Sequence, residues 1–129
     1  MLKEAMLAMR VTDMDYAPDI CRLLKTAEKD LKIAGVVIQG TCEFMITETT
    51  DPNTGERTVT VADNSTITDD MVQTAMITYS RANFGSPPDY DKLAASYDLQ
   101  RRQLANATGY TDFGEESGDD ESSDDDADP

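Results

Sequence analysis

Apolar residues recur three and four positions apart along four stretches of this chain, and two positions apart along two others. In the first stretch, residues 2–10, Leu2, Met6, Leu7 and Met9 make the broad apolar side of a short helix. Val11-Thr12-Asp13 breaks it with a turn-prone, helix-capping composition. A second helix is expected to start near Pro18, whose missing N–H costs nothing in a first turn. Ile20, Leu23, Leu24, Ala27 and Leu31 then share one face, while Arg22, Lys25, Glu28, Lys29 and Lys32 fill the other side. Gly35 is its expected stop, with Lys29 and Lys32 near the negative end of the helix dipole.

The period then changes. Cys42, Phe44 and Ile46 alternate with Glu43, Met45 and Thr47, and Val59 and Val61 alternate with Thr58 and Thr60. Between the two runs lies Asp51-Pro52-Asn53-Thr54-Gly55-Glu56, a turn cluster, so residues 41–62 read as a β-hairpin. A lone two-stranded hairpin is marginal in water and should lean on the helices or on a neighbouring subunit. Its threonine-rich outer face, carried by Thr58 and Thr60, is either plain solvent-facing strand or an assembly edge that adds strands between copies.

A third helix is predicted from Thr68, as N-cap, to Phe84, with Asp69 and Asp70 in the positive first turn and Gly85 closing the end. Its apolar stripe is Met71, Val72, Ala75, Met76, Tyr79 and Phe84, with Ala82 beside it. Pro87 and Pro88 force a sharp break, and Asp89 is placed to cap a fourth helix with Tyr90, Leu93, Tyr97 and Leu104 on one line with Gln100. Arg101, Arg102 and Gln103 crowd its last turn, and residues 106–109 end it. Beyond Phe113 almost no apolar side chain remains, too little to offset the entropy of ordering, and the segment is expected to be disordered when free. The fold class that follows is mainly α: a small bundle of about four helices in residues 1–113, a hairpin between the second and third helices, and an acidic C-terminal tail at 114–129.

Charge sharpens that division. The 129 residues carry 26 acids, 11 bases and no histidine, for a net charge of −15. Ten of the acids lie between Asp112 and Asp128, where there is no base. Removing those ten from the 26 leaves 16 acids against 11 bases in residues 1–111, a net of −5. Unaided binding to a phosphate backbone, which rests on Lys and Arg displacing counterions, is therefore not expected, and an anionic membrane would repel the chain. No apolar run approaches the roughly 20 residues that span a bilayer. The start lacks the basic segment and unbroken apolar run of a signal peptide, which points to a soluble, intracellular protein.

The catalytic inventory is nearly empty, and the expectation is a protein that is not an enzyme and holds no cofactor or metal. Without histidine neither cysteine can form a Cys–His nucleophile, and two cysteines do not make a zinc site. Cys21 and Cys42 fall in apolar patterns and read as buried free thiols. Asp13-Met14-Asp15 lacks the later glycine and glutamate of a calcium loop, and Asp69-Asp70 reads as helix-start charge. The seven methionines read as core filler. Residues 105–113 are more informative, being too polar for a core helix yet carrying Tyr110 and Phe113. Aromatics on a terminal segment are an effective docking device, the plain counterpart being that both rings pack on their own domain.

Three strings carry a resemblance. They are Ala75-Met76-Ile77-Thr78-Tyr79-Ser80-Arg81-Ala82-Asn83-Phe84-Gly85, then Tyr90-Asp91-Lys92-Leu93-Ala94-Ala95-Ser96-Tyr97-Asp98, then Gln103-Leu104-Ala105-Asn106-Ala107-Thr108-Gly109-Tyr110-Thr111. They look like the second half of the head–tail connector (adaptor) proteins of long-tailed phages and prophages. Residues 27–36 are similar to the end of that family's long second helix. The hairpin is longer than the loop many relatives carry there, and the tail is not part of the shared core.

The resemblance implies a mostly helical structural virion protein of the capsid–tail neck, assembled in the host cytoplasm. Such proteins form a homo-oligomeric ring, typically of twelve copies, beneath the portal protein, and extend the DNA channel toward the stopper or tail-completion protein. DNA passes through without specific binding, and no membrane is involved. Carried onto this chain, portal docking falls on Asn106, Thr108, Tyr110 and Phe113, with Arg101 and Arg102 as candidates for subunit or portal ion pairs. The hairpin edge at Thr58 and Thr60 rests on the strand argument alone. The competing class is an acidic DNA mimic or inhibitor that sequesters a nucleic-acid-binding protein.

Overall fold

The computed structural model describes residues 1–107. Helix α1 (Leu2–Met9) buries Leu2, Ala5 and Met6, one three-and-four-spaced arc, and leaves Leu7 off that arc and 69% exposed. Arg10 ends it in the left-handed region at φ 59°, its N–H donating to Leu7. A single 3₁₀ turn, Met14–Tyr16, leads into α2 (Ala17–Ile33), which has Pro18 in its first turn. At the far end of α2, Gly35 takes φ +98° and the Val36 N–H donates to the Leu31 carbonyl, the stop expected there.

Strands β1 (Phe44–Thr50) and β2 (Arg57–Asp63) pair antiparallel in the register Ile46↔Val61, Thr47↔Thr60 and Glu48↔Val59. The turn is the expected one at residues 51–56. Two further backbone bonds, Asn64 N–H to Glu43 and Thr66 N–H to Thr41, continue the ladder to the root of the hairpin. There Gly40, at φ +94°, lies so close to the Thr66 backbone that a Cβ would meet its carbonyl oxygen at 2.7 Å. Helices α3 (Asp70–Asn83) and α4 (Tyr90–Asn106) then form an αα-hairpin across the Pro87-Pro88 break.

The bundle of four helices with a hairpin between the second and third is thus the architecture. Its core is centred on α2. Ile20, Leu24, Ala27 and Leu31 are fully buried against Val72, Ala75 and Met76 of α3, Leu2 and Ala5 of α1, and Tyr97 and Leu104 of α4. The root of the hairpin contributes Val36, Cys42 and Ile67 to the same cluster. Also at the root Asp63, the last residue of β2, clamps α1. Its Oδ2 accepts from the Met1 ammonium and from the Leu2 N–H, both at 2.8 Å. Burial alone would push this carboxyl up, but those bonds and two from Ser65 outweigh it and hold it at about 2.

Several details depart from the sequence reading. The N-cap of α3 is Asp69, not Thr68, because the Asp69 carboxylate accepts from both the Met71 and Val72 N–H groups. Asp89 occupies the N-cap position of α4 but makes no side-chain cap. Glu28 lies on the buried side of α2, at 8% exposure. Its spacing to Leu24 and Leu31 puts it on the apolar stripe, and Lys32 Nζ reaches its carboxylate at 3.4 Å. Met71 and Tyr90, assigned to apolar stripes, are about half exposed. Helix α4 continues to Asn106, which places Arg101 and Arg102 one turn before its end. The acidic tail, with the order expected of it, lies outside the described residues.

Candidate assembly surfaces

The carboxyl end of α4 is fixed to α2 by a polar network. The Tyr97 hydroxyl donates to Asp30 Oδ2 at 2.5 Å, and Arg101 Nη1 donates to the same oxygen at 3.1 Å. Arg101 Nη2 donates to Asp98 Oδ1 at 2.8 Å, and its guanidinium lies 5.7 Å from the centre of the Tyr97 ring. Tyr79 of α3 meets Tyr97 edge-on, with centroids 5.1 Å apart. Burial, followed by the bond to Asp30, pushes the Tyr97 phenol well above its ordinary range, so it stays a donor at any physiological pH.

Of the residues expected to dock a partner, Asn106 is exposed at the last position of α4, while Thr108, Tyr110 and Phe113 lie outside the described residues. Arg101 and Arg102 differ in kind. Arg101 is two-thirds buried and committed to Asp30 and Asp98 of its own chain. Arg102 is exposed, holds Asp98 Oδ2 at 3.2 Å, and presents the more available guanidinium.

On the hairpin, Thr58 and Thr60 are both exposed and stand directly opposite Thr49 and Thr47, giving one face four threonines. The other face carries Val59 and Val61, of which only Val59 is buried, with Ile46 and Glu48 across from them. Arg57 ties this face down through Glu48 Oε1 at 2.9 Å and, more distantly, Asp15 of the 3₁₀ turn. The sheet has two strands, so among the described residues each has one edge without a strand partner.

The residues weighed for chemistry have structural work. Asp13 accepts from the Asp15 N–H as a cap, and no cluster of three metal-ligating side chains exists among the described residues. Cys21 and Cys42 are buried and unpaired, and burial pushes their thiols up to about 12 and about 11. No helix of the described residues is long and apolar enough to cross a membrane.

One surface had not been anticipated. Pro18, Cys21, Phe44 and Ile46 floor a groove of about 360 Å³ between α2 and β1, with Arg22, Lys25 and Lys29 along its rim. The signal in the sequence was the spacing of Arg22, Lys25, Lys29 and Lys32, one stripe of a helix, which reads as an ordinary solvated face until β1 is seen beside it. Compared with protein-family models, curated proteins and solved structures, the chain matches none.

Proposed function

We propose that this chain is a head–tail connector subunit, a structural protein of the capsid–tail neck that assembles as a ring of twelve copies beneath the portal protein. The observation that carries the reading is the likeness of residues 75–111 to that family. Its three strings fall on the second half of α3 with its exit turn, on the first half of α4, and on the last turn of α4 with the residues that follow. Asn106 stands at the end of a helix anchored to α2 by Tyr97 and Arg101, a fixed base for the portal contact proposed at Asn106, Thr108, Tyr110 and Phe113. Arg102 is the guanidinium available for a portal or subunit ion pair.

Two physical features support the role. A net charge of −5 in residues 1–111, repeated around a ring, repels the duplex and lets it slide rather than stick. The hairpin offers unpaired strand edges with Thr58 and Thr60 on the exposed face, suited to pairing with a neighbouring copy or the stopper.

The test is size analysis of the chain mixed with its portal protein under conditions that mature the capsid. A ring-sized complex is expected, and the double variant Tyr110→Ala, Phe113→Ala should stay folded by circular dichroism while binding the portal more weakly. Absence of any portal complex with the native chain would sink the reading. The ten acids between Asp112 and Asp128 favour the second reading, an acidic mimic of DNA that sequesters a nucleic-acid-binding protein. Deleting residues 114–129 separates the two, since a connector keeps its portal and a mimic loses its target.

A further inference from the structure

Four of the eleven bases of this acidic chain, Arg22, Lys25, Lys29 and Lys32, follow one another along a single stripe of α2. Their own chain neutralises them poorly. The nearest carboxylates to Arg22 and Lys25, on Asp19 and Glu43, stand at 3.8 and 3.9 Å, beyond hydrogen-bonding distance. Lys29 makes no ion pair among the described residues. Only Lys32, beyond the groove, has a closer partner in Glu28. Beside the first three runs the apolar floor made by Phe44, Ile46 and Pro18, with Ile46 39% exposed. A basic rim over an apolar floor is a receptor for an extended anionic segment.

We propose that the acidic carboxyl-terminal segment of the same chain, residues 112–128, docks along this groove and pairs its carboxylates with Arg22, Lys25 and Lys29. Charge complementarity selects it, since the segment holds ten carboxylates and no base. Reach permits it. The stretch from Ala107 to Asp119, at about 3.3 Å per residue, extends to about 40 Å, whereas a domain of this size has a radius of gyration of about 13 Å. Tethering also favours it over a free polyanion. A linked segment acts at an effective concentration on the order of millimolar, while an external phosphate backbone must approach a chain of net charge −15. The groove is then covered in the single chain, and a partner seeking it must displace the tail. This inference does not depend on the connector reading.

Zero-length carbodiimide coupling of the full chain, which joins lysine amines to carboxylates, tests it directly. The expected links run from Lys25 and Lys29 to acids between Asp119 and Asp126, in a product of monomer size, and are lost at high salt, where exposed charges are screened. Lys3 on α1 and Lys92 on α4 should carry none. Links spread equally over Lys3 and Lys92, or no links at all, would overturn the proposal. Links found only in a dimer-sized product would assign the groove to a neighbouring copy's tail and equally overturn it. As a second measurement, the full chain with Asp119, Asp120, Asp124, Asp125 and Asp126 each changed to Asn should show shifted amide resonances across residues 22–32 and 44–46. Unshifted resonances there would show the groove to be open.

Discussion

Ile20, Leu24, Leu31 and Met76 in the helical body are fully buried, whereas along β1 and β2 only Val59 is buried, and it keeps 5% exposure. The two regions are therefore stabilised in different ways. The body excludes water from a continuous apolar cluster on four helices, the dominant favourable contribution to folding. The hairpin depends on cross-strand bonds and on its root, where Gly40, Thr41 and Cys42 meet residues 64–67 and Asp63 grips α1. None of residues 45–60 belongs to that apolar cluster. A segment that is ordered yet contributes little to the core is a natural place for contacts between chains.

The strongest way to break this contrast is a cavity at its centre. Leu24→Ala should cost about 2–5 kcal/mol, because the tight packing around a fully buried leucine relaxes only in part. Denaturant unfolding checks it, with Ile46→Ala on the hairpin as the counterpart, expected to cost under about 1 kcal/mol at 39% exposure. Equal losses at the two sites would mean that the hairpin is as integral to the body as α2.

The seam between the regions should respond to pH. Asp63 is held at about 2 against an ordinary aspartate value of about 3.9. Its stabilisation is therefore fully present above about pH 4 and is lost as pH falls toward about 2. Asp63→Asn should lower stability at neutral pH by on the order of 1 kcal/mol and flatten the decline between those values. Unfolding midpoints of both chains across that range decide the point, and parallel profiles would show that the clamp carries no weight.

The same contrast separates what could be read in the sequence from what could not. Helices α1 to α4 and the turn at 51–56 were legible because each is governed by local spacing and local capping chemistry. Glu28 was misassigned by residue type, although its spacing to Leu24 and Leu31 already placed it on the buried stripe. Asp69 displaced Thr68 as a cap because a carboxylate bonding two N–H groups outcompetes a hydroxyl one residue earlier. The clamp of Asp63 on Met1 spans 62 residues of sequence, and the Tyr97–Asp30 bond spans 67. No local pattern encodes either. The basic groove needed α2 and β1 side by side, so its rim was visible only as a charged helical face.

The smallest effect on stability should accompany a large effect on assembly. Replacing residues 51–56 with a two-residue Asn-Gly turn keeps Thr50 and Arg57 as the closing pair of the ladder. It removes a turn held by the Asp51 and Glu56 backbone bond and by the Asp51 side chain on the Asn53 N–H, all of it exposed. No buried group is lost and the loop is shortened, so unfolding free energy should stay within about 0.5 kcal/mol of the native chain. If the tip and threonine face meet a neighbouring copy or the stopper, the same change weakens ring or stopper association. Parallel unfolding and light-scattering measurements read the two effects separately. Unaltered assembly would reduce the hairpin beyond its root to plain surface, and lost stability would return it to the body.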